Sequence, residues 1–291
     1  MAIKLIVQGL RRSGTTIFWR TLRQDARLTC FDEPFSQQLQ YLPSTKLIYN
    51  PQEFHRLLQR DGVAFWERFT PIGANEELRS GFSDRQRNWL RFLADEGEQM
   101  MFDTTRCQYK IQDLHDEAPD AVFVHLYRHP ASHATSHMLP RRTGRFAGIR
   151  RWLDKRHFFT RDGKYNGWQF EKIIGKTTDS LFAHRLAESG IDPATVYALP
   201  AVGRLMVYWH HCFNKVEQDG RRIYGRRFVS LNFDAFCDDP LATLGKVYDA
   251  LEMELPEFDL STIHPANKPH RHDAAEWKQL APWSELPDTN P

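Results

Sequence analysis

The stretch IVQGLRRSGTTIFW, residues 6–19, limits the fold of this chain more than any other segment. Residues 3–7 form a short, β-favouring apolar run that reads as a buried strand and stops at Gly9. From Thr15 to Arg23 the pattern becomes helical, with Ile17, Phe18 and Leu22 able to face a core. A strand that turns directly into a helix gathers backbone N–H groups at the positive end of the helix dipole, and that is an anion site. Gly14 allows close approach of the backbone, and Thr15 and Thr16 add hydroxyl donors. Four residues separate Gly9 from Gly14, as in a phosphate-binding loop, but Thr15 stands where a nucleoside triphosphatase has lysine. That lysine reaches the β- and γ-phosphates, and the Ser/Thr after it holds magnesium. Arg12 can supply the charge the lysine would have carried. Taken alone, GLRRSGTT also suits a plain strand-to-helix turn.

Further strands are expected at 28–31 (LTCF), 107–112 (CQYKIQ), 120–128 (DAVFVHLYR) and 228–231. Helices lie between them, one opened by Pro130 and one by Pro240 with Asp238 or Asp239 as cap. Alternating strands and helices imply an α/β fold, a parallel β-sheet flanked by helices. Ligands in such sheets bind beyond the carboxyl ends of the strands. A chain of 291 residues can bury one large core, so a single domain spanning 1–291 is expected. The net charge of +2 argues for neither a nucleic-acid nor a membrane partner. The local cluster Arg141, Arg142, Arg145, Arg150 and Arg151 reads as a solvated face or one rim of an anionic site. No run approaches the ~20 apolar residues of a membrane span, and the N-terminus lacks a signal-peptide pattern. Cys30, Cys107, Cys212 and Cys237 are scattered without metal-type spacing, so reduced thiols and a cytoplasmic, soluble protein are expected.

The strand at 120–128 ends in Arg128, where a nucleoside triphosphatase needs a carboxylate for its metal. Ser136 follows past the turn at Pro130, and both can reach one phosphate if the helix folds back beside the strand. On RRSGTT (11–16) and VHLYRHPASHATS (124–136) the sequence resembles the sulfotransferases that use 3′-phosphoadenosine 5′-phosphosulfate. Residues 227–251, RFVSLNFDAFCDDPLATLGKVYDAL, are similar to a strand–loop–helix late in that family, and PHRHDAAEWKQL (269–280) resembles its C-terminal cosubstrate loop. The resemblance implies a P-loop-type sheet with a helical, loop-rich cap over the acceptor site, drawn from about 41–100 and 140–200. It implies that Arg11, Arg12, Ser13, Gly14, Thr15 and Thr16 hold the 5′-phosphosulfate, and that Arg128, Ser136 and Arg271 hold the 3′-phosphate. The activity implied is metal-independent transfer of the sulfonate to a hydroxyl or amine of a small-molecule or carbohydrate acceptor, leaving adenosine 3′,5′-bisphosphate. Arg12 and the loop N–H groups would meet the charge that grows on the 5′-phosphate. Removing one such preorganised donor typically costs ~10²–10³ in rate.

An acceptor hydroxyl needs a general base. Cytosolic animal-type members of the family use a histidine two residues after a strand lysine. In the similar segment here, YKIQDL, Lys110 matches the lysine but Gln112 replaces the histidine, and glutamine takes no proton at neutral pH. Carbohydrate-type and bacterial members use a glutamate in an EP turn after the second strand, and the chain has TCFDEPF (29–35). Pro34 biases Glu33 toward an extended conformation that would project its carboxylate across the cleft. Glu33 is therefore the expected base, with Asp32 in reserve, and a turn or capping carboxylate is the structural alternative. Lys110 is assigned either to the transferring sulfonate or to a pair with Asp113.

His129, His133 and His137 could share a helix face, but no carboxylate partner is placed with them, so no metal site is expected. Phe65, Trp66, Trp89, Trp152, Phe158, Phe159 and Trp168 are expected mostly in the core. Two other functions fit parts of the pattern: an atypical P-loop small-molecule kinase, and a non-catalytic nucleotide-binding module. Oligomeric state is not encoded in any motif of the sequence.

Overall fold

The computed structural model of the chain describes residues 3–42, 52–139, 145–156, 170–175, 178–265 and 280–287. In chain order its elements are β1 (Ile3–Gly9), α1 (Thr15–Leu22), β2 (Thr29–Asp32), α2 (Gln52–Arg60), α3 (Gly62–Arg68), α4 (Asp84–Ala94), β3 (Met100–Thr104), α5 (Ile111–Glu117) and β4 (Val122–Tyr127). They continue with α6 (Pro130–Met138), α7 (Ala147–Arg156), α8 (Phe170–Ile174), α9 (Leu181–Glu188), α10 (Pro193–Tyr197) and α11 (Ala201–Tyr224). Last come β5 (Phe228–Asn232), α12 (Phe233–Asp238), α13 (Pro240–Leu251) and α14 (Ala281–Ser284). The chain divides into two compact units, Met1–Tyr127 with Lys215–Pro265, and Arg128–Asn214 with Ala266–Pro291.

In the first unit the five strands form one parallel sheet in the order β2-β3-β1-β4-β5, so the fold is α/β as the alternation implied. β1 lies at the centre and all its residues but Lys4 are buried, because a parallel sheet with helices on both sides has no face left to water. Alternation puts Leu5 and Val7 with Met101, Asp103, Val122 and Val124 on one face. Ile6 and Gln8 share the other face with Phe102, Thr104, Phe123 and His125. On that second face Ile6, Phe31, Phe102 and Phe123 pack with an aromatic cluster in which the Trp89 ring meets Phe65 edge-on, centroids 5.1 Å apart. α1 lies against β1, β2 and β3, and α13 against β4 and β5. Phe18 of α1 meets Phe236 of α12 at 5.1 Å.

The expected starts of α6 and α13 are found: Pro130 and Pro240 take the first helical turn, and the Asp239 side chain accepts the Ala242 N–H. The third strand is not at 107–112. The chain uses Met100–Thr104, five fully buried residues, and runs from Thr105 to Lys110 as a turn into α5. The reason is physical: a strand between β1 and β2 must be apolar on both faces, and MMF supplies that while CQYK does not. Phe65 and Trp89 are core residues as expected, whereas Trp66 and Trp152 are exposed. Phe158, Phe159 and Trp168 lie outside the described residues.

The described residues of the second unit are helical. Ser180 caps α9 and meets the Tyr197 hydroxyl at 2.6 Å, and Asp192 caps α10. His210 of α11 donates from Nε2 to the Trp283 carbonyl at 2.9 Å, which fastens α14.

Candidate active site

The loop from Gly9 to Thr16 leaves the carboxyl end of β1 and starts α1. Two residues in it have left-handed backbone angles, Arg12 with φ 71° and Gly14 with φ 92°. A Cβ on Gly14 would run into the Phe233 ring as well as strain the backbone, so the position requires glycine. Gly14 stands at the helix start without a side chain to cap it, which leaves the first-turn N–H groups of α1 for another acceptor. The Ser13 hydroxyl is fully buried and has no hydrogen-bond partner. Arg12 is exposed, Thr15 buried and Thr16 half-buried. An uncapped helix start beside an unpartnered buried hydroxyl suits a phosphate or sulfonate oxygen.

Glu33 sits just past β2. Its φ is 49°, so the extended conformation expected from the following proline is not the one adopted. The turn is held from three sides: the Glu33 N–H donates to the Asp103 carbonyl at 3.1 Å and to Asp103 Oδ1 at 3.2 Å, and Trp89 Nε1–H donates to the Pro34 carbonyl at 2.9 Å. The third tie is the Ile72 N–H, which donates to the Phe35 carbonyl at 3.0 Å. Those bonds outweigh the local preference before proline. They fix a carboxylate at the same sheet end as the loop, since β2 is joined to β1 through β3.

Asp32 and Asp103 are register partners on β2 and β3, and Asp103 in turn is paired with Val7 of β1. Asp103 is fully buried and its Oδ2 has no donor. Burial first, then the Glu33 charge, pushes the Asp32 carboxyl up to about 7, and burial with the Asp32 charge raises Asp103 well above the carboxylate range. One proton shared between the two relieves both effects. The other charges that face Asp32 are Arg20 from α1 and Glu53 from α2. A carboxyl whose pKa rises on folding gives stability that is complete below the unfolded value near 4 and is lost as the pH climbs through the folded value. Urea stability is therefore expected to fall by about 1–3 kcal/mol between pH 4 and pH 7.5, one to two pKa units' worth of free energy. In Asp103→Asn the amide donates where the shared proton was and the slope flattens. Equal slopes for the two proteins would mean that the carboxyls are separately solvated.

A second buried group lies beside the loop. Glu77, with no exposed surface, accepts both terminal nitrogens of Arg11, one of them at 2.6 Å, and accepts Arg106 Nη1 at 3.0 Å. Arg106 Nε lies 3.5 Å from Glu33 Oε2. A continuous set of charges thus runs from the loop through Glu77 and Arg106 to Glu33. Neither Glu77 nor Arg106 was legible as a site residue: Glu77 falls in the region 41–100 that carries no motif, and Arg106 follows a strand placed elsewhere by the sequence pattern. A carboxylate does stand near the end of a strand next to the loop: it is Asp103, on β3 rather than β4.

Lys110 is not on a strand but at the start of α5, where its Nζ donates to the carbonyls of Glu76 at 2.9 Å and Arg79 at 2.5 Å. Asp113 is engaged instead by Arg87 and by the Phe82 N–H at 3.0 Å. Burial lowers the Lys110 pKa. Arg128 directly follows β4 and Ser136 lies in the last turn of α6, both half-buried members of the second unit. Arg271 lies outside the described residues. His125, on β4, meets Glu217 at 2.6 Å, and Ser230 Oγ also donates to that carboxylate. His129 caps α6, and the rings of His133 and His137 meet edge-on at 4.7 Å.

A family model described as Sulfotransferase family matches residues 5–170, more than half of the chain. No curated protein matches the sequence. Among solved structures, the sulfotransferase domain from the curacin biosynthetic pathway is 11% identical, covering 99% of this chain and 99% of that one with a TM-score of 0.49. The sulfotransferase domain of the Synechococcus PCC 7002 olefin synthase is 15% identical, covering 97% of this chain and 95% of that one with a TM-score of 0.48. Sulfotransferase STF9 from Mycobacterium avium is 15% identical with a TM-score of 0.43; the match takes in 88% of this chain and 65% of that one.

Proposed function

Because the chain belongs to the sulfotransferase family, we propose that it moves the sulfonate of 3′-phosphoadenosine 5′-phosphosulfate to a hydroxyl or amine of a small-molecule or carbohydrate acceptor. The observation that carries the donor assignment is the loop after β1. Its helix start is uncapped, the Ser13 hydroxyl is buried without a partner, and Thr15 stands where a lysine aimed at a γ-phosphate would be, with Arg12 close by in the loop to supply charge. The donor supplies an activated sulfonate on a phosphate leaving group: the new S–O bond forms at the acceptor as the S–O bond to the 5′-phosphate breaks, and its electron pair stays on the phosphate.

In this reading the N–H groups of Gly14, Thr15 and Thr16, the Ser13 hydroxyl and Arg12 hold the 5′-phosphate and take up the growing charge. Arg11, tied to Glu77, keeps the loop in shape beside them. Arg128 and Ser136 hold the 3′-phosphate together with Arg271, and the acceptor's proton goes to Glu33. Lys110 contributes by fixing the segment that carries Glu77, since its Nζ is engaged by the Glu76 and Arg79 carbonyls. A cytoplasmic site of action is part of the proposal, in keeping with four buried cysteines. Among the described residues no helix is long and apolar enough to cross a membrane.

Asp103 is the one observation that favours phosphoryl transfer, because a carboxylate at that sheet position can hold magnesium. Against it, Asp103 faces Asp32 and accepts the Glu33 N–H, and the loop has no lysine for a γ-phosphate. Calorimetry separates the two. Adenosine 3′,5′-bisphosphate is expected to bind equally well with and without magnesium, and more tightly than ATP. A preference for ATP with magnesium would replace the sulfonate reading by a kinase.

A further inference from the structure

Arg106 belongs to neither motif that points to the donor, yet its surroundings are those of a binding residue. It is 6% exposed, and only its Nη1 is satisfied by Glu77, a carboxylate already gripped at both oxygens by Arg11. Two buried guanidinium groups therefore share one full carboxylate. Burial, followed by the Arg11 charge, lowers the Arg106 pKa, as expected of a cation short of counter-charge. Its Nε is buried without a hydrogen bond, and so is Glu33 Oε2, 3.5 Å away. That gap exceeds the ~2.7–2.9 Å of a charge-assisted bond. A buried donor and a buried acceptor that face each other and do not close the bond are costly, unless a third group completes both. Ser13 Oγ and Thr105 Oγ1, at the same ends of β1 and β3, are likewise buried without partners.

On the donor reading given above, we propose that Arg106 binds the transferring sulfonate, and that Glu33 competes for Arg106 only until it takes the acceptor's proton. While Glu33 is ionised, its carboxylate faces the guanidinium and offsets its charge. As the acceptor O–H proton moves onto Glu33, the carboxyl becomes neutral. Arg106 then loses the Glu33 counter-charge at the moment the S–O bond to the acceptor forms and the S–O bond to the 5′-phosphate breaks. Glu77 holds the guanidinium from the opposite side, so it does not move away with the proton. Proton removal and anion stabilisation are coupled through one ion pair.

The test needs no acceptor. The full chain, Arg106→Gln, Glu33→Gln and the double variant are titrated calorimetrically with 3′-phosphoadenosine 5′-phosphosulfate and, separately, with adenosine 3′,5′-bisphosphate. Glu33→Gln is expected to bind the sulfonate-bearing nucleotide about tenfold more tightly and the bisphosphate within about threefold of wild type, the size of one charge-assisted bond gained. Arg106→Gln weakens the first about tenfold and the second within about threefold, and it abolishes the gain from Glu33→Gln. Equal weakening of both nucleotides by Arg106→Gln would reduce Arg106 to a brace for the loop. A gain from Glu33→Gln that survives without Arg106, or no gain at all, would also overturn the proposal. If wild type binds neither nucleotide, the donor reading itself fails and this inference falls with it. Circular dichroism checks folding; should Arg106→Gln not fold, Arg106→Lys replaces it, with the sulfonate-bearing nucleotide weakened about threefold and the bisphosphate bound as in wild type.

Discussion

Glu33→Gln is expected to lower sulfonate transfer by about 10²–10⁴-fold while the protein stays folded and still binds adenosine 3′,5′-bisphosphate. Glutamine keeps the shape and the backbone N–H that donates to Asp103, so the turn at φ 49° survives the change. What is lost is the lone pair that takes the acceptor's proton. The loss should appear in kcat and leave the KM for the donor unraised, because Glu33 opposes rather than holds the sulfonate. The assay follows formation of adenosine 3′,5′-bisphosphate in the presence of a turned-over acceptor. A variant within about threefold of wild type would take Glu33 out of the chemistry and leave Asp32, its neighbour in the chain, as the carboxylate to examine.

Glu77→Ala is expected to be the most destabilising single change near the site, by about 3–5 kcal/mol in urea unfolding. The carboxylate has no exposed surface and is the common partner of Arg11 and Arg106, which are themselves 5% and 6% exposed. Its removal takes away the carboxylate that two buried like charges share, and leaves Arg106 the longer 3.5 Å contact to Glu33. Arg60 and Glu96 form a natural control: they make the same kind of two-point contact, but the Arg60 side chain is 59% exposed. Glu96→Ala should leave the unfolding midpoint almost where it was, since water and salt screen that pair. A small effect at both positions would mean that solvent reaches the Arg11–Glu77–Arg106 group and that it does not brace the loop.

The elements legible in the sequence share one property: their signal is local. β1 and β4 announce themselves as apolar runs, α6 and α13 by a proline in the first turn, and α1 by the glycine turn before it. The third strand was misplaced because β-favouring residues at 107–112 compete with Met100–Phe102, and only burial between β1 and β2 decides between them. The same error hid Asp103 and Arg106. Glu33 was legible through its DEP turn, but its left-handed backbone was not, since that depends on bonds to Asp103 and on Trp89 holding the Pro34 carbonyl.

By itself the sequence determined the glycine turn with its missing lysine, the parallel α/β architecture and the candidate base, because each rests on neighbours within a few residues. Only the tertiary structure decided which charges meet. Asp32 meets Asp103 through strand pairing, and Arg11 reaches Glu77 across 66 residues of chain. Coulomb forces and desolvation act through space, between groups whose distance along the chain carries no information until the sheet has brought its carboxyl ends together.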